Sequence, residues 1–418
     1  MSKNTVIRGE IRHHASIEDP LTEVLRTGAR QLLRQAIDAE LRELLKATSA
    51  FVTASGERRV VRNGYLPERI VQTGIGPVPV VVPRVRDREP TADGAIRFSP
   101  SMLPRYLRKT RSLEALIPWL YLKGISTGQF GEALTALLGP DAPGLSPATV
   151  SRLKADWQKD LEAWQKRDLH GKRYVYWWAD GVYFNVRMEE ASECVLVIIG
   201  VTEDGTKELV AVSDGYRESA DSWRQLFLDL KQRGLEKAPK LATGDGALGF
   251  WKALAELYPK TAAQRCWVHK TANVLNALPT SIQAKAKGHL HDIYEAETRK
   301  KAEKAFDFFL AAYGPKYRKA ADTLEKDREP LLAFYDFPAE HWASLRTTNP
   351  IESTFSTVRL RTNTSRGCFS RATVLTMVYQ LMHSAQKKWR RLNAPEHLTS
   401  VAKNIRYIDG IHPSKVAA

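Results

Sequence analysis

Three carboxylates occupy positions where acids from distant parts of a chain can converge. Asp180 closes an apolar run, Tyr174-Val-Tyr-Trp-Trp-Ala-Asp180. Asp245 follows a shorter run in Ala242-Thr-Gly-Asp245-Gly-Ala, and Glu352 stands at the start of a helix opened by Asn349-Pro350-Ile351. In a mixed sheet whose first and fourth strands are neighbours, both aspartates meet at one end. Three carboxylates gathered in this way can hold two divalent cations roughly 3.5–4 Å apart, one activating a hydroxyl nucleophile and the other stabilising the leaving oxygen of a phosphoryl transfer. An all-oxygen donor set favours Mg²⁺, with Mn²⁺ as its substitute, over zinc.

Each acid also has a structural explanation. Asp180-Gly181 and Asp245-Gly246 are ordinary turn dipeptides, because Asp tolerates turn geometry and Gly supplies positive φ. Asn349, Pro350 and Glu352 fit the N-cap, N1 and N3 positions of something close to a capping box. Singly the acids fit these roles; together, in this strand order and in a basic chain, they fit a metal centre.

Other chemistries find little support. No G-x-x-x-x-G-K-[ST] and no helix-opening G-x-G-x-x-G is present, which argues against ATP or NAD. Cys266-Trp267-Val268-His269 is a single C-x2-H without a partner pair, so a structural zinc is not supported. The three cysteines, Cys194, Cys266 and Cys368, are too few and too widely spaced for a disulfide framework, which points to a reducing compartment. No apolar stretch approaches the roughly 18 residues of a membrane span, and the polar N-terminus lacks the apolar region of a signal peptide.

In 418 residues, 63 Lys and Arg face 47 Asp and Glu, a net charge of +16. Residues 1–170 carry 26 basic and 19 acidic side chains, 171–340 carry 25 and 25, and 341–418 carry 12 and 3, for net charges of +7, 0 and +9. Basic arms around a neutral middle suit a polyanion, and nucleic acid is the first candidate.

The elements that must position the acids follow from periodicity. Residues 20–47 have apolar positions at helical spacing, with Asp19 and Pro20 as N-cap and N1. Between Arg58 and Arg88 the pattern is that of strands around a Gly74-Ile75-Gly76-Pro77 turn, decorated by Arg58, Arg59, Arg62, Arg84 and Arg86; it reads equally as a solvated β-subdomain or as a ribbon touching phosphates. Residues 111–168 read as helical, and Ser146-Pro147-Ala148-Thr149-Val150-Ser151-Arg152-Leu153-Lys154 suits a helix-turn-helix recognition helix, with Arg152 and Lys154 outward.

From Lys172 the order becomes β-β-β-α-β-α, with strands at Tyr174–Asp180 and Tyr183–Arg187 joined at Asp180-Gly181-Val182, a buried run at Cys194–Val201 and a shorter one at Glu208–Val212. Helices are expected at Ser219–Arg233 and Leu248–Leu257, around a short strand near Leu241-Ala242-Thr243. Residues 270–342 read as an all-α insertion. A long amphipathic helix over Val374–Ala385 ends in Lys387-Lys388-Trp389-Arg390-Arg391, where cations complement the helix dipole as well as they would contact DNA.

Several segments together resemble the bacterial mutator-type transposases of insertion sequences: Trp178-Ala-Asp180-Gly-Val-Tyr183, Gly215-Tyr-Arg-Glu-Ser-Ala-Asp-Ser-Trp223, Gly244-Asp245-Gly246, Gln264-Arg-Cys266-Trp-Val-His269-Lys270 and Arg346-Thr-Thr-Asn-Pro-Ile-Glu352-Ser353. The likeness extends to Arg62-Asn-Gly-Tyr65, Gln72-Thr-Gly-Ile-Gly76, Pro83-Arg-Val-Arg-Asp-Arg88 and residues 112–128, so it spans nearly the whole chain.

It implies a multidomain α+β protein with an RNase H-like α/β catalytic core whose DDE triad is Asp180, Asp245 and Glu352. The separations of 65 and 107 residues leave room for the helical insertion in the second gap. On this reading residues 1–110 form an N-terminal helix and basic β-hairpin region, 111–170 a helix-turn-helix-like region, 171–269 with 343–395 the core, 270–342 the insertion and 396–418 a C-terminal tail.

The resemblance further implies Mg²⁺ at two ions per site and double-stranded DNA, both inverted-repeat ends and target, as partner. Synapsis of two ends sets a dimer as the minimum during reaction, in the cytoplasm at the nucleoid. Arg346, Arg359 and Arg361 lie near Glu352 and suit phosphates or plain solvation. Cys266 and His269 match the family's C/D-x2-H signature, and Trp342 resembles a tryptophan that stacks on a distorted base; packing explains these residues too. Two rivals stay open: an RNase H-like nuclease or resolvase that cuts without joining, and a DNA-binding repressor whose middle is only a scaffold.

Overall fold

The apolar spacing of residues 20–47 does produce one helix, α1 (Pro20–Ala47), in a computed structural model that describes residues 20–90, 94–110, 147–184, 193–215, 218–364 and 370–416. The chain divides into two units, 1–151 and 152–418. In the first, only the C-terminal half of the α1 stripe is buried: Ile37 packs with Val71, Val78, Val80 and Leu103, whereas Leu21, Val24, Leu25 and Leu32 are exposed.

Strands β2 (Arg69–Thr73) and β3 (Gly76–Val80) form the expected hairpin. The Thr73 hydroxyl donates to Gly76 O at 2.8 Å and accepts from Ile75 N–H at 3.2 Å, and Gly76 takes a φ of +98°, a left-handed backbone that favours glycine. Strands β1 (Val60–Tyr65) and β4 (Pro83–Asp87) pair outside it. Residues 111–146, with the expected helix, turn and Ser146 cap, lie outside the described residues. Helix α2 (Pro147–Gln165) starts at the expected proline.

The second unit is built on β5 (Tyr174–Phe184), β6 (Glu193–Thr202) and β7 (Lys207–Gly215), then α3 (Ala220–Gln232), β8 (Leu241–Gly244), α4 (Leu248–Leu257) and β9 (Ala262–Arg265). The sheet order is β7-β6-β5-β8-β9. Strands β5, β6 and β7 are antiparallel, β8 runs parallel to β5, and β9 parallel to β8. Alternation along a strand sends successive side chains to opposite faces. Trp177 and Ala179 therefore join the apolar cluster of Trp223, Phe227 and Leu230 from α3 and Phe250 and Leu254 from α4, while Tyr176, Trp178 and Asp180 face the other way.

Two strand expectations are corrected. Asp180-Gly181 is not a turn: β5 runs straight through it, with Asp180 opposite Val197 and Gly181 opposite Leu196. The buried run on β6 offers a pairing partner along this whole length, so the ladder continues where local chemistry alone would favour a bend. The residues expected as a separate strand, Tyr183 and Phe184, extend β5, and 185–187 lie outside the described residues. The unexpected strand is β9, whose Ala-Ala-Gln-Arg lacks the β-branched or aromatic residues that signal a strand; its backbone is recruited by the edge of β8.

Between β9 and Glu352 the described chain has no strand. Helices α5 (Trp267–Leu275), α6 (Thr280–Tyr294), α7 (Arg299–Tyr313), α8 (Arg318–Glu325) and α9 (Arg328–Leu332) surround buried Leu290, Ile293, Phe306, Phe309 and Leu324. Short turns lead to α10 (Trp342–Leu345), α11 (Asn349–Thr364) and α12 (Arg371–Gln386). The segment expected as a tail forms α13 (Glu396–Ala402) and buries Leu398, Val401 and Tyr407.

Candidate functional site

Register places the two aspartates side by side. Trp178 of β5 is level with Thr243 of the parallel strand β8, and each aspartate lies two residues further on, so both stand in the same row of the same face. Cys266 continues the row, since its N–H donates to Gly244 O at 2.9 Å just beyond β9. The backbone of Asp245 is held firmly: its carbonyl accepts from the Trp251 indole at 2.8 Å and from Arg265 at 2.5 Å, and its carboxylate accepts Ala247 N–H at 2.8 Å. The last bond is the Asx turn that the Asp-Gly dipeptide suggests; at this position the turn and the site coexist.

Glu352 arrives from far along the chain, and hydrogen bonds to the segment before it fix where it stands. Tyr176 Oη lies 3.0 Å from His341 Nδ1, the Trp178 indole donates to Ser344 O at 2.9 Å, and the Thr243 hydroxyl donates to Leu345 O at 2.7 Å. Trp267 N–H at the head of α5 donates to Arg346 O at 2.9 Å. Helix α11 then packs against β5. The Glu352 carboxylate takes the Thr348 hydroxyl at 2.6 Å, so the residue that orients it stands one position before the expected Asn349 cap.

Thr348 also links Glu352 to the C-x2-H pair. Its N–H and hydroxyl lie 3.3 Å from Cys266 Sγ, and His269 Nδ1 is 3.6 Å from Glu352 Oε1. One ligand atom from each of Cys266, His269 and Glu352 falls within 4.8 Å of the others. The first cause raising His269, to about 9, is its bond with Cys266; the charges of Asp180 and Glu352 add to it. Burial raises the Cys266 thiol, but the bonds from His269 and Thr348 outweigh it and leave it lowered.

The structure brings in one acid that the sequence reading does not single out. Glu218, just ahead of α3, is only 8% exposed and has a φ of +53°. The Tyr183 hydroxyl donates to its Oε2 at 3.2 Å. Gly181 has room for the Glu218 carboxylate only because it lacks a side chain: a Cβ there would stand 2.7–2.8 Å from it. Burial first, and then the charge of Asp245, push the Asp180 carboxyl up to about 7. Glu218 is pushed to about 7 as well, by burial and then by Asp245 and Asp180. Crowded, buried carboxylates at this pKa are what a divalent cation would relieve, and their hard oxygen donors fit Mg²⁺ or Mn²⁺. The one signal of Glu218 in the sequence is its place within Gly215–Trp223.

The remaining predicted residues fall elsewhere or are otherwise engaged. Trp342 donates its indole N–H to Phe337 O at 2.8 Å and packs edge-on against Phe334 and Tyr335. Arg346 donates to Tyr294 O at 2.5 Å and lies over the Tyr294 ring. In the first unit Arg59 forms a two-pronged pair with Asp87 at 2.8 Å, Arg84 donates to Asn63 O and Arg62 bonds Tyr65, while Arg58 and Arg86 are exposed. Arg152 and Arg359 are exposed in the second unit; the side chains of Lys154 and Arg361 lie outside the described residues.

Comparison with known proteins matches residues 1–392 to a family profile described as "Transposase, Mutator family". The chain is 52% identical over 287 residues to the transposase for insertion sequence element IST2 of Acidithiobacillus ferrooxidans, covering 67% of this chain and 95% of that protein. It is 51% identical over 291 residues to the transposase for IS6120 of Mycolicibacterium smegmatis, covering 70% and 89%. A more distant likeness, 28% over 380 residues and 90% of each chain, is to the transposase for ISRM5 of Rhizobium meliloti.

Proposed function

The chain belongs to the Mutator family of transposases, and from that premise we propose that it is the DNA transposase of an insertion sequence, cutting and joining DNA through Asp180, Asp245 and Glu352. The observation that carries this reading is the row formed by the two aspartates, each two residues past a paired position on adjacent parallel strands; the hydrogen bonds of residues 341–348 that lead into Glu352 and the charge of Glu352 felt at Asp180 support its place as the third acid. The sheet order β7-β6-β5-β8-β9, with β6 alone antiparallel to both its neighbours, supports an RNase H-like core.

Asp180, Asp245 and Glu352 would hold two Mg²⁺ ions, which when bound activate the attacking oxygen and stabilise the leaving one. Asp180 and Asp245 face a common position, and Thr348 and His269 orient Glu352 toward it. In the first step a water oxygen attacks a phosphodiester at the element end, the bond from phosphorus to the 3′ oxygen breaks, and a 3′-OH is released. In the second, that 3′-OH attacks a target phosphodiester and displaces another 3′ oxygen. Neither step needs a covalent bond to the protein.

The first unit, with its arginine-bearing hairpins, and the α2 region would grip the inverted-repeat ends; exposed Arg58, Arg86 and Arg152 suit phosphates. A dimer would hold two ends in synapsis. Among the described residues no helix is long and apolar enough to cross a membrane.

The test is cleavage and joining of labelled DNA carrying the gene's own flanks, with Mg²⁺ or EDTA. Joined products should require the metal and vanish in Asp180→Asn and Glu352→Gln while DNA binding persists. Cleavage without joining would instead make the protein a nuclease, and binding without breakage under any metal would leave a DNA-binding repressor.

A further inference from the structure

The basic run after α12, Lys387-Lys388-Trp389-Arg390-Arg391, supplies no side-chain cap to the helix it ends. Backbone groups meet the last carbonyls instead: Lys387 and Lys388 N–H donate to Ala385 O, and Trp389 N–H donates to Gln386 O at 3.2 Å. Both ends of the run are tied to the β6–β7 edge of the sheet. On one side the Gln386 side chain accepts Leu209 N–H at 2.7 Å; on the other, Leu392 N–H donates to Gly205 O at 2.9 Å and Arg391 pairs with Asp204 at 2.7 Å. Arg391 is thus spent on an ion pair, whereas among the described residues no acid pairs with Lys388 or Arg390.

Pinned in this way, Lys388, Trp389 and Arg390 line a cavity of about 210 Å³ together with Lys207 at the start of β7, Ser353 of α11 and Ile199 of β6. Its polar groups are of one kind. Three are cations, no Asp or Glu is among the described residues that line it, and the Trp389 indole N–H, itself buried, has no acceptor. The Lys207 ammonium stands 5.9 Å from the centre of the Trp178 ring, and burial, with no carboxylate to offset it, lowers its pKa. The adjacent acid, Glu208, takes the other face of the strand, where Tyr174 and Lys172 bond it at 2.7 and 3.0 Å. Donors without acceptors, three of them charged, describe a site for an anion.

The position of the cavity narrows the choice of anion. Ile199 is directly opposite Trp178 in the β5–β6 ladder, and Asp180 lies two residues further along the same face, so the cavity stands on the order of 10 Å from the aspartates. Ser353 is the residue after Glu352. A DNA strand with its scissile bond at the three acids covers that distance in about three nucleotides.

We propose that Lys207, Lys388 and Arg390 hold one backbone phosphate of the DNA strand within about three nucleotides of the bond that is cut, with the Trp389 indole N–H donating to the same phosphate. This rests on the transposase reading of Asp180, Asp245 and Glu352. A phosphate fixed on this flank sets the register of the strand over the acids, so these residues position the substrate and take no part in breaking bonds.

The experiment is binding of the full chain to labelled duplex carrying the gene's own flanks, over a range of KCl concentrations. Single methylphosphonates, each removing one phosphate charge, are placed in turn at every position on both sides of the cut. Lys207→Met keeps the stem over Trp178 without the charge, and it is combined with Arg390→Gln; Arg391→Gln, whose residue is already paired with Asp204, is the control. The double variant should flatten the slope of log K against log salt by about 0.9, the loss of one neutralised phosphate, and melt no lower than wild type, while the control keeps the wild-type slope. One methylphosphonate near the cut should flatten the slope equally in wild type and add nothing in the double variant. A wild-type slope in the double variant would overturn the site, as would a flattened slope to which every methylphosphonate adds as it does in wild type. Calorimetric titration with inorganic phosphate separates the other source: phosphate bound by wild type and lost in the double variant, with the DNA slope unchanged, would make this a site for the free ion and not for DNA. Wild type that fails to bind the flanks at any salt would overturn the transposase reading, and the site with it.

Discussion

On one face of the five-stranded sheet, Trp177 stacks on Phe227 at 5.9 Å and meets Tyr258 edge-on, and Trp223 packs against Phe250 at 4.9 Å. The indole N–H groups of Trp177 and Trp223 and the Tyr258 hydroxyl find no hydrogen-bond partner there among the described residues. On the opposite face Tyr176, Trp178 and Thr243 each use a polar atom to hold residues 341–345. Apolar contact is non-directional and gives the sheet its stability. Hydrogen bonds have direction, and they decide where the segment that carries Glu352 comes to rest. The contrast implies a division of labour, in which one face sets whether the unit folds and the other sets whether the acids meet.

The largest expected effect comes from cutting into the apolar face. Phe227→Ala removes a fully buried ring that contacts Trp177, Trp223, Phe250 and Tyr258 and should cost about 3–5 kcal/mol, read as a lower urea midpoint. Joining by the protein that remains folded should be nearly normal. A folded Phe227→Ala protein that fails to join would erase the distinction between the faces.

Next is the pH dependence of the metal-free protein. Asp180 rises from 3.8 to about 7 and Glu218 from 4.5 to about 7; both bind protons more tightly when folded, so their stabilisation is complete below about pH 4 and lost as the pH climbs through 7. His269, raised from 6.5 to about 9, has the same sign over a higher window. Metal-free stability should therefore fall from pH 4 to pH 9, by on the order of a few kcal/mol. Millimolar Mg²⁺ should restore it at high pH, and Asp180→Asn should flatten the part below pH 7. Denaturation curves without this slope would mean that the acids are not crowded in solution.

A smaller effect is expected from Trp178→Phe, which keeps most of the packing and leaves Ser344 O without its donor. It should cost about 1–3 kcal/mol, less than Phe227→Ala, yet slow joining more at a temperature where both variants are folded. The reverse ranking would show that packing, and not the hydrogen-bonded segment, positions Glu352.

Much of the sheet was legible because its signals are local. The apolar run at Cys194–Val201, the stripe of Trp223, Leu226, Phe227 and Leu230, and the helix at Leu248–Leu257 all follow from periodicity and recur as β6, α3 and α4. Two elements were not legible for the same reason. Strand β9 has no strand-like composition and exists because β8 presents an open edge, and Asp180-Gly181 carries a turn signal that a long pairing partner overrides. Glu218 was hidden for a third reason: nothing local distinguishes a glutamate before a helix cap from a solvated one.

Residue types and their spacing were thus enough to single out Asp180, Asp245 and Glu352 as candidates, to find most of the helices and strands between them and to resemble a family, because side-chain chemistry and periodicity are written in the chain. Tertiary structure decided the rest. Only folding makes Trp178 level with Thr243 and so sets the aspartates abreast. Only backbone carbonyls at Ser344, Leu345 and Arg346, which every residue type possesses, bring Glu352 across 107 residues. And only the gap left by Gly181 beside the open edge of β5 admits Glu218, since the space that a missing Cβ leaves depends on what the rest of the chain packs against it.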